Sequence, residues 1–286
     1  MGTHFVWSVK MTVLVVTASD THANSTLGLC AGTVDLPDGG TYIPSPQQQD
    51  LWTCWLDFWK TIKKLKRKHR AKVWAVFVGD IIDMNVHSKG ELISPYNATT
   101  AHEIAFDTLD PALKIVDKTF ICRGTTAHVG GQGQLEEKLA KDIEAERDEL
   151  LNTWSWYHLP LLADGVLFDI AHHPESGSNV EWTQGNAANR IAATIMLQYA
   201  SSYDEFPQVV VRAHKHRRQI SEKTHPVSVV CLPAWTLKSS FVYRIGKAAG
   251  LPDIGGAYFV CNDGKLIDWD LIDYKPKRRP PWSSDK

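Results

Sequence analysis

A chain of 286 residues that is 43% hydrophobic and 22% charged carries enough apolar material for one large core. Its formal charge of -1 excludes a global attraction to polyanions, so any nucleic-acid contact has to come from local patches. The five cysteines (Cys30, Cys54, Cys122, Cys231, Cys261) are widely spaced and never in C-x-x-C, which fits a reducing compartment better than a disulfide framework.

No apolar run approaches the roughly 18 residues needed to cross a bilayer, and the N-terminal MGTHFV misses a myristoylation signal at Val6. The expectation is a cytoplasmic protein without a membrane anchor. Residues 11–274 read as a single domain, preceded by an N-terminal extension (1–10) and followed by a basic, proline-broken tail (275–286).

In chain order, short apolar and β-branched runs predict buried strands at 12–17, 73–78, 119–122, 165–171, 208–213, 227–232 and 257–261. Between the first two, Leu51, Trp52, Trp55, Leu56, Trp59, Ile62 and Leu65 recur every three or four residues and predict a helix over 47–68. Further helices are expected near 99–117, 134–149 and 186–203. Asp38-Gly39-Gly40 and Asn262-Asp263-Gly264 predict hairpin turns. Strands, helices and hairpins interleave, so the class is α/β or α+β.

The way the strands end carries the chemistry. The first is followed by Asp20 and His22, the second by Asp80 and Asp83, the third by His128, the fourth by His172 and His173, and the fifth by His214 and His216. In open α/β sheets ligands bind beyond the carboxyl ends of the strands, so five segments deliver Asp or His to one rim. In extended backbone, residues i and i+2 point the same way, which would let Asp20 with His22, and His214 with His216, face one centre. Imidazole with carboxylate suits Mn, Fe or Zn and leaves room for water, the pattern of a hydrolytic site with two ions.

Taken together, these blocks resemble the calcineurin-like metallophosphoesterases, whose signature runs D-x-H, G-D-x-x-D, G-N-H-D/E, a lone His often before Pro, and G-H-x-H. The chain offers Asp20-Thr21-His22, Gly79-Asp80-Ile81-Ile82-Asp83, Gly124-Thr125-Thr126-Ala127-His128, His172-His173-Pro174 and Ala213-His214-Lys215-His216. The likeness covers about residues 12–220 and is specific in four of five blocks.

That resemblance implies a four-layer α-β-β-α sandwich and two divalent ions, Mn first, with Zn, Fe or Ni as alternatives. It places Asp20, His22 and His216 around the first ion, Asp80 between the two, and His172 and His214 around the second. His173 is left to packing or support. The third block departs from the pattern, because Thr125 and Thr126 replace the Asn-His pair and a histidine appears two residues later. Thr125 is expected as a weak ligand or as the holder of a water, and His128 as the proton donor to the leaving group. Arg123 and Asn24, each beside a proposed ligand, are expected to contact phosphate.

Two ions that activate a hydroxide suit phosphoester hydrolysis. The resemblance is nearest to compact bacterial and phage-type phosphoesterases, including the repair-nuclease branch. It favours phosphodiesters of nucleotides or nucleic acid over the substrates of phosphomonoesterases or protein phosphatases. A homo-oligomer is compatible with it, and the altered third block leaves a catalytically weakened metal-binding or regulatory module as the alternative.

Other features read as structure. The basic run 63–70 ends a helix, where cations favour the dipole, and the tryptophan stripe reads as core or subunit contact. Gly28-Leu29-Cys30-Ala31-Gly32 lacks the strand that a nucleophile elbow needs. Gly131-Gln132-Gly133 fails as a dinucleotide fingerprint, because Glu136 stands where its third glycine belongs.

Overall fold

The computed structural model describes residues 11–85, 89–174, 186–202, 205–239 and 252–276, together with residues 243 and 283. The expected N-terminal extension and most of the basic tail therefore lie outside the described residues.

Two five-stranded sheets form the centre. The first has the order β12 (Lys265–Tyr274), β11 (Ile254–Asn262), β1 (Val13–Ala18), β4 (Lys72–Val78), β5 (Lys118–Cys122). The second runs β6 (Leu159–Ala163), β7 (Val166–Ile170), β8 (Val209–Arg212), β10 (Ser228–Cys231), β9 (Gln219–Ile220). β1, β4 and β5 are parallel neighbours, and so are β7, β8 and β10.

Side-chain alternation explains why the predicted strands read as unbroken apolar runs. Val13 and Val15 of β1, with Val76 and Val78 of β4, meet Phe168, Val209 and Val211 of the second sheet between the two layers. Leu14, Val16, Ala75 and Phe77 face the other way, onto α1 (Pro46–His69), α2 (Ala98–Leu113) and α4 (Gln134–Asp142). The outer face of the second sheet is covered by α5 (Ala187–Ser202), whose Ile191 and Ile195 pack on Val210 and Val229. The architecture is mixed α/β, layered helix, sheet, sheet, helix. Both faces of the parallel strands are buried, as the continuous hydrophobicity requires.

Helix α1 begins at a Ser45/Gln48 capping box and ends in a basic last turn. Within the basic run, Lys66 binds Asp117 at 2.8 Å. Trp55 and Trp59 are core residues, and the Trp55 indole donates to the Thr108 carbonyl at 2.8 Å.

Three expectations about elements need correction. The helix foreseen over 134–149 stops at Asp142, because Asp148 instead accepts from the amides of Leu150 and Leu151 and pairs with Thr153, closing a turn. The helix foreseen to 117 ends at Leu113, two residues after Pro111. Strands β6 and β9 were not foreseen, β6 because Pro160 interrupts its apolar run at the sheet edge.

Both hairpins form. β2 (Val34–Asp35) pairs with β3 (Thr41–Tyr42), and Asn262 faces Lys265 across a two-residue turn with Asp263 and Gly264 at positive φ. No helix among the described residues is long and apolar enough to cross a membrane.

Candidate metal centre

The carboxyl ends of β1, β4, β5, β7 and β8 converge, and the groups that follow them form one cluster. Among the described residues, four overlapping triads have ligand atoms within 4.8 Å of one another: Asp20/His22/His216, Asp20/Asp80/His172, His22/Asp80/His128 and His172/His173/His214. Asp20 and Asp80 are 0% and 1% exposed, so their charges are shielded from water and need a local partner.

The reason for the convergence differs from the one expected. Asp20, His22, His214 and His216 have φ of 53°, 43°, 69° and 52°, and Asp80 has 50°; none is extended backbone. Asp20 and His22 meet because left-handed residues fold the chain ends inward, an unfavourable conformation for non-glycine residues that recurs at functional sites, whereas His214 and His216 part, one joining His172 and His173 and the other joining Asp20 and His22.

Cross-links hold the turns in place. The amides of Asp20 and His22 donate to the carbonyls of Gly79 and Asp80, both at 3.0 Å, extending the β1–β4 pairing beyond the strands. Thr125 N donates to Asp80 Oδ1 at 2.6 Å. A Cβ on Gly124 would sit 2.2 Å from Asp80 N, and one on Gly79 would sit 2.6 Å from the His172 ring, so both positions exclude any side chain.

One side of the cluster is organised by carboxylates. Asp20 accepts from the Ser19 hydroxyl, from His214 N at 3.3 Å and from His216 Nε2 at 3.0 Å. Burial would raise its pKa, but the charge and hydrogen bond of His216 outweigh burial and hold it well below the usual carboxylate range. Asp83 takes His22 Nδ1 at 3.1 Å on one oxygen and His128 Nδ1 at 3.0 Å on the other. The His22 and His128 rings stand 4.6 Å apart. Burial would lower the His22 imidazole, yet the bond to Asp83 lifts it to about 9.

The other side is organised by imidazoles. His172 Nδ1 donates to the Val78 carbonyl at 2.7 Å, and its Nε2 lies 3.1 Å from Asp80 Oδ2. The Thr125 hydroxyl lies 3.0 Å from Asp80 Oδ2, 3.4 Å from His172 Nε2 and 3.2 Å from His214 Nδ1. Burial, followed by the neighbouring His172 and His173, pushes the His214 imidazole down to about 4.

This donor set fits divalent cations. His172 and His22 hold a proton on Nδ1 toward the Val78 carbonyl and the Asp83 carboxylate, so each would present Nε2 as a lone pair to a cation that displaced the proton there. His172 Nε2 then faces Asp80 Oδ2, and His22 Nε2 faces His216 Nε2 at 3.4 Å with Asp20 Oδ1 3.9 Å away. In the metal-free protein protons bridge His216 Nε2 to Asp20 and His172 Nε2 to Asp80, places a divalent ion would take, and the single Thr125 proton satisfies one of its three neighbours. Anchoring the far nitrogen of each imidazole is how proteins orient histidine ligands.

Two expected contacts are not available for phosphate. Asn24 is fully buried, donates to the carbonyls of Asp83 and Ser94 at 2.9 and 3.3 Å, and accepts from Ser94 N at 2.9 Å. It is a brace under the Asp83 turn. Arg123 binds Ser155, the Gln132 carbonyl and Glu137, and lies 4.2 Å from the Tyr157 ring, lining a separate cavity of about 410 Å³. Its guanidinium is occupied there. Lys215 is exposed.

Two supporting residues were not assigned a role from sequence. Asp83 stood in the quoted G-D-x-x-D block, so a signal existed for it. Glu136 had none: it is fully buried and accepts from Ile81 N at 2.8 Å and Gly124 N at 2.6 Å, tying the Asp80 turn to the Thr125 turn. Burial, with the Asp80 charge adding to it, pushes the Glu136 carboxyl up to about 7.

No family model and no curated protein sequence matches the chain. Among solved structures, a dimetal phosphatase from Danio rerio is 10% identical, covering 92% of this chain and 99% of that one, with a TM-score of 0.44. A predicted phosphoesterase from Streptococcus pneumoniae is 7% identical over 92% and 98% of the two chains, at 0.34. The sulfate thiohydrolase SoxB of Thermus thermophilus is 11% identical over 92% of this chain and 56% of its own, at 0.41. Likenesses this distant identify no activity.

Proposed function

We propose that residues 11–274 form a metal-dependent phosphoesterase of calcineurin-like type that hydrolyses phosphodiesters, with nucleotides or nucleic acid as the favoured substrate class. The observation that carries this reading is the convergence of carboxylates and imidazoles on either side of Asp80, with His22 and His172 each anchored through the far nitrogen. Asp20, His22 and His216 would hold one divalent ion, and Thr125, His172 and His214 a second, with Asp80 shared. When bound, such a pair lowers the pKa of a water and neutralises charge on the transferring phosphoryl group.

The remaining tasks fall to the chain itself. His128 sits on a single helical turn, α3 (Thr126–Val129), directly after Thr125. Asp83 accepts from Nδ1, so the imidazolium form of His128 would give its Nε2 proton to the departing alkoxide and remain as the Nδ1–H neutral ring held by Asp83. Histidine two residues beyond the usual position thereby reaches the same side of the cluster as His22.

Bis-p-nitrophenyl phosphate with Mn²⁺ tests the activity. Turnover that disappears with chelator and returns with metal is expected, and no turnover with any divalent ion overturns the reading. Comparison with p-nitrophenyl phosphate tests the diester preference. His128→Ala should slow esters with poor leaving groups by about 10²–10⁴-fold, the usual worth of a positioned acid, while sparing nitrophenyl esters. Equal loss on both removes His128 from the role of acid.

A further inference from the structure

The imidazole side of the cluster is short of strong donors. Apart from the shared Asp80 it has His172, His214 and a neutral threonine hydroxyl, a poorer ligand than the amide expected at that position. A third imidazole lies beside them. The ring of His173 is 4.9 Å from that of His172 and 4.7 Å from that of His214, and the three offer nitrogens within 4.8 Å of one another.

His172 and His173 follow β7 consecutively, and the chain bends at both, so neighbouring residues present rings to one centre instead of to opposite faces of a strand. No acidic residue takes part in that triad. Three imidazoles gathered at a rim, with the innermost anchored to the Val78 carbonyl at 2.7 Å, form a nitrogen-rich donor set.

We infer that His173 is a ligand on this side of the centre, supplying the donor strength that Thr125 does not. The inference rests on the two-ion reading and deepens it. Its chemical consequence is asymmetry between the two positions. A position with three imidazoles favours the later divalent ions, Co, Ni and Zn, over Mn more strongly than the position built on Asp20, where a carboxylate belongs to one ion alone.

Titration of the metal-free full chain with Co²⁺ and with Mn²⁺, followed by calorimetry and by the visible absorption of Co²⁺, tests this without reference to turnover. The wild-type chain should take two equivalents, with the gap between Co²⁺ and Mn²⁺ affinity larger at one of them. His173→Ala, at an exposed position, should weaken that equivalent at least 10-fold, change its absorption and leave the other unchanged. Thr125→Asn in the same background should restore the affinity by returning an amide donor. Two equivalents of unchanged affinity in His173→Ala overturn the inference alone, including when KM rises, which would make His173 a substrate contact. Fewer than two equivalents in the wild-type chain overturn the two-ion reading and the inference with it.

Discussion

The two sides of the cluster reach the same end by different physics. Around Asp20, His22 and His216 the protein uses buried carboxylates: Asp20 on His216, and Asp83 behind His22 and His128. Around His172 and His214 it uses main chain and neutral groups: the Val78 carbonyl behind one ring, the Thr125 hydroxyl between both, and Gly79 and Gly124 to let the loops approach. A carboxylate-backed imidazole is more basic and grips a cation harder than a carbonyl-backed one. The difference predicts a firm position and a softer one, with Asp80 as the single group answerable to both.

Removing that shared group should have the largest effect. Asp80→Asn keeps the shape but removes the charge, and also disturbs the bond from Thr125 N at 2.6 Å. Turnover should fall on the order of 10³-fold, the scale for losing a preorganised electrostatic partner, and both equivalents of metal should bind more weakly. Loss of only one equivalent would show that the two sides do not share Asp80.

Asp83→Asn breaks the symmetry selectively. It weakens the support of His22 and His128 while leaving the imidazole side untouched, so one equivalent should lose about 10–100-fold in affinity and the other should be unaffected. Equal weakening of both would mean that Asp83 acts by holding up the whole rim. The fully buried Asn24, which braces the Asp83 carbonyl, makes this outcome worth measuring.

How much of this was legible in the sequence divides along similar lines. Six of the seven predicted strands are visible because parallel strands buried on both faces leave unbroken apolar runs, the antiparallel β11 because it too is buried, and the rim follows from the ends of the parallel ones. The rest was hidden where local pattern and tertiary demand diverge. Extended spacing brought Asp20 and His22 together for the wrong reason and placed His214 with His216 at one centre where the structure sends them to two, since left-handed φ values are not written in residue type outside glycine. Arg123 and Asn24 adjoin ligands in sequence, but side-chain direction is set by packing partners tens of residues away, such as Ser155 and Ser94. Glu136 first stood out as the residue that spoils a dinucleotide fingerprint. Only the fold shows its carboxylate reaching Ile81 N and Gly124 N.

The smallest expected effect is read in stability rather than turnover, and it separates protons from cations as occupants of the cluster. In the metal-free protein burial would lower His172 as it does His22, but the hydrogen bond to Asp80 outweighs it and holds the imidazole at about 9, matching His22. Both folded values exceed the ordinary 6.5, so the folded state binds these protons more tightly than the unfolded chain. That stabilisation is full below pH 6.5 and is lost as pH rises through about 9. The Tm of the metal-free chain should therefore fall by several degrees across this window. Divalent ions compete with the same protons, so their binding strengthens over the same interval; at about 100 times Kd they contribute roughly 2.7 kcal/mol. Differential scanning calorimetry from pH 6.5 to 9 should show the difference in Tm between metal-loaded and metal-free protein widening with pH. A constant difference would mean that the imidazoles do not exchange protons for metal, and the cluster would then need a different partner.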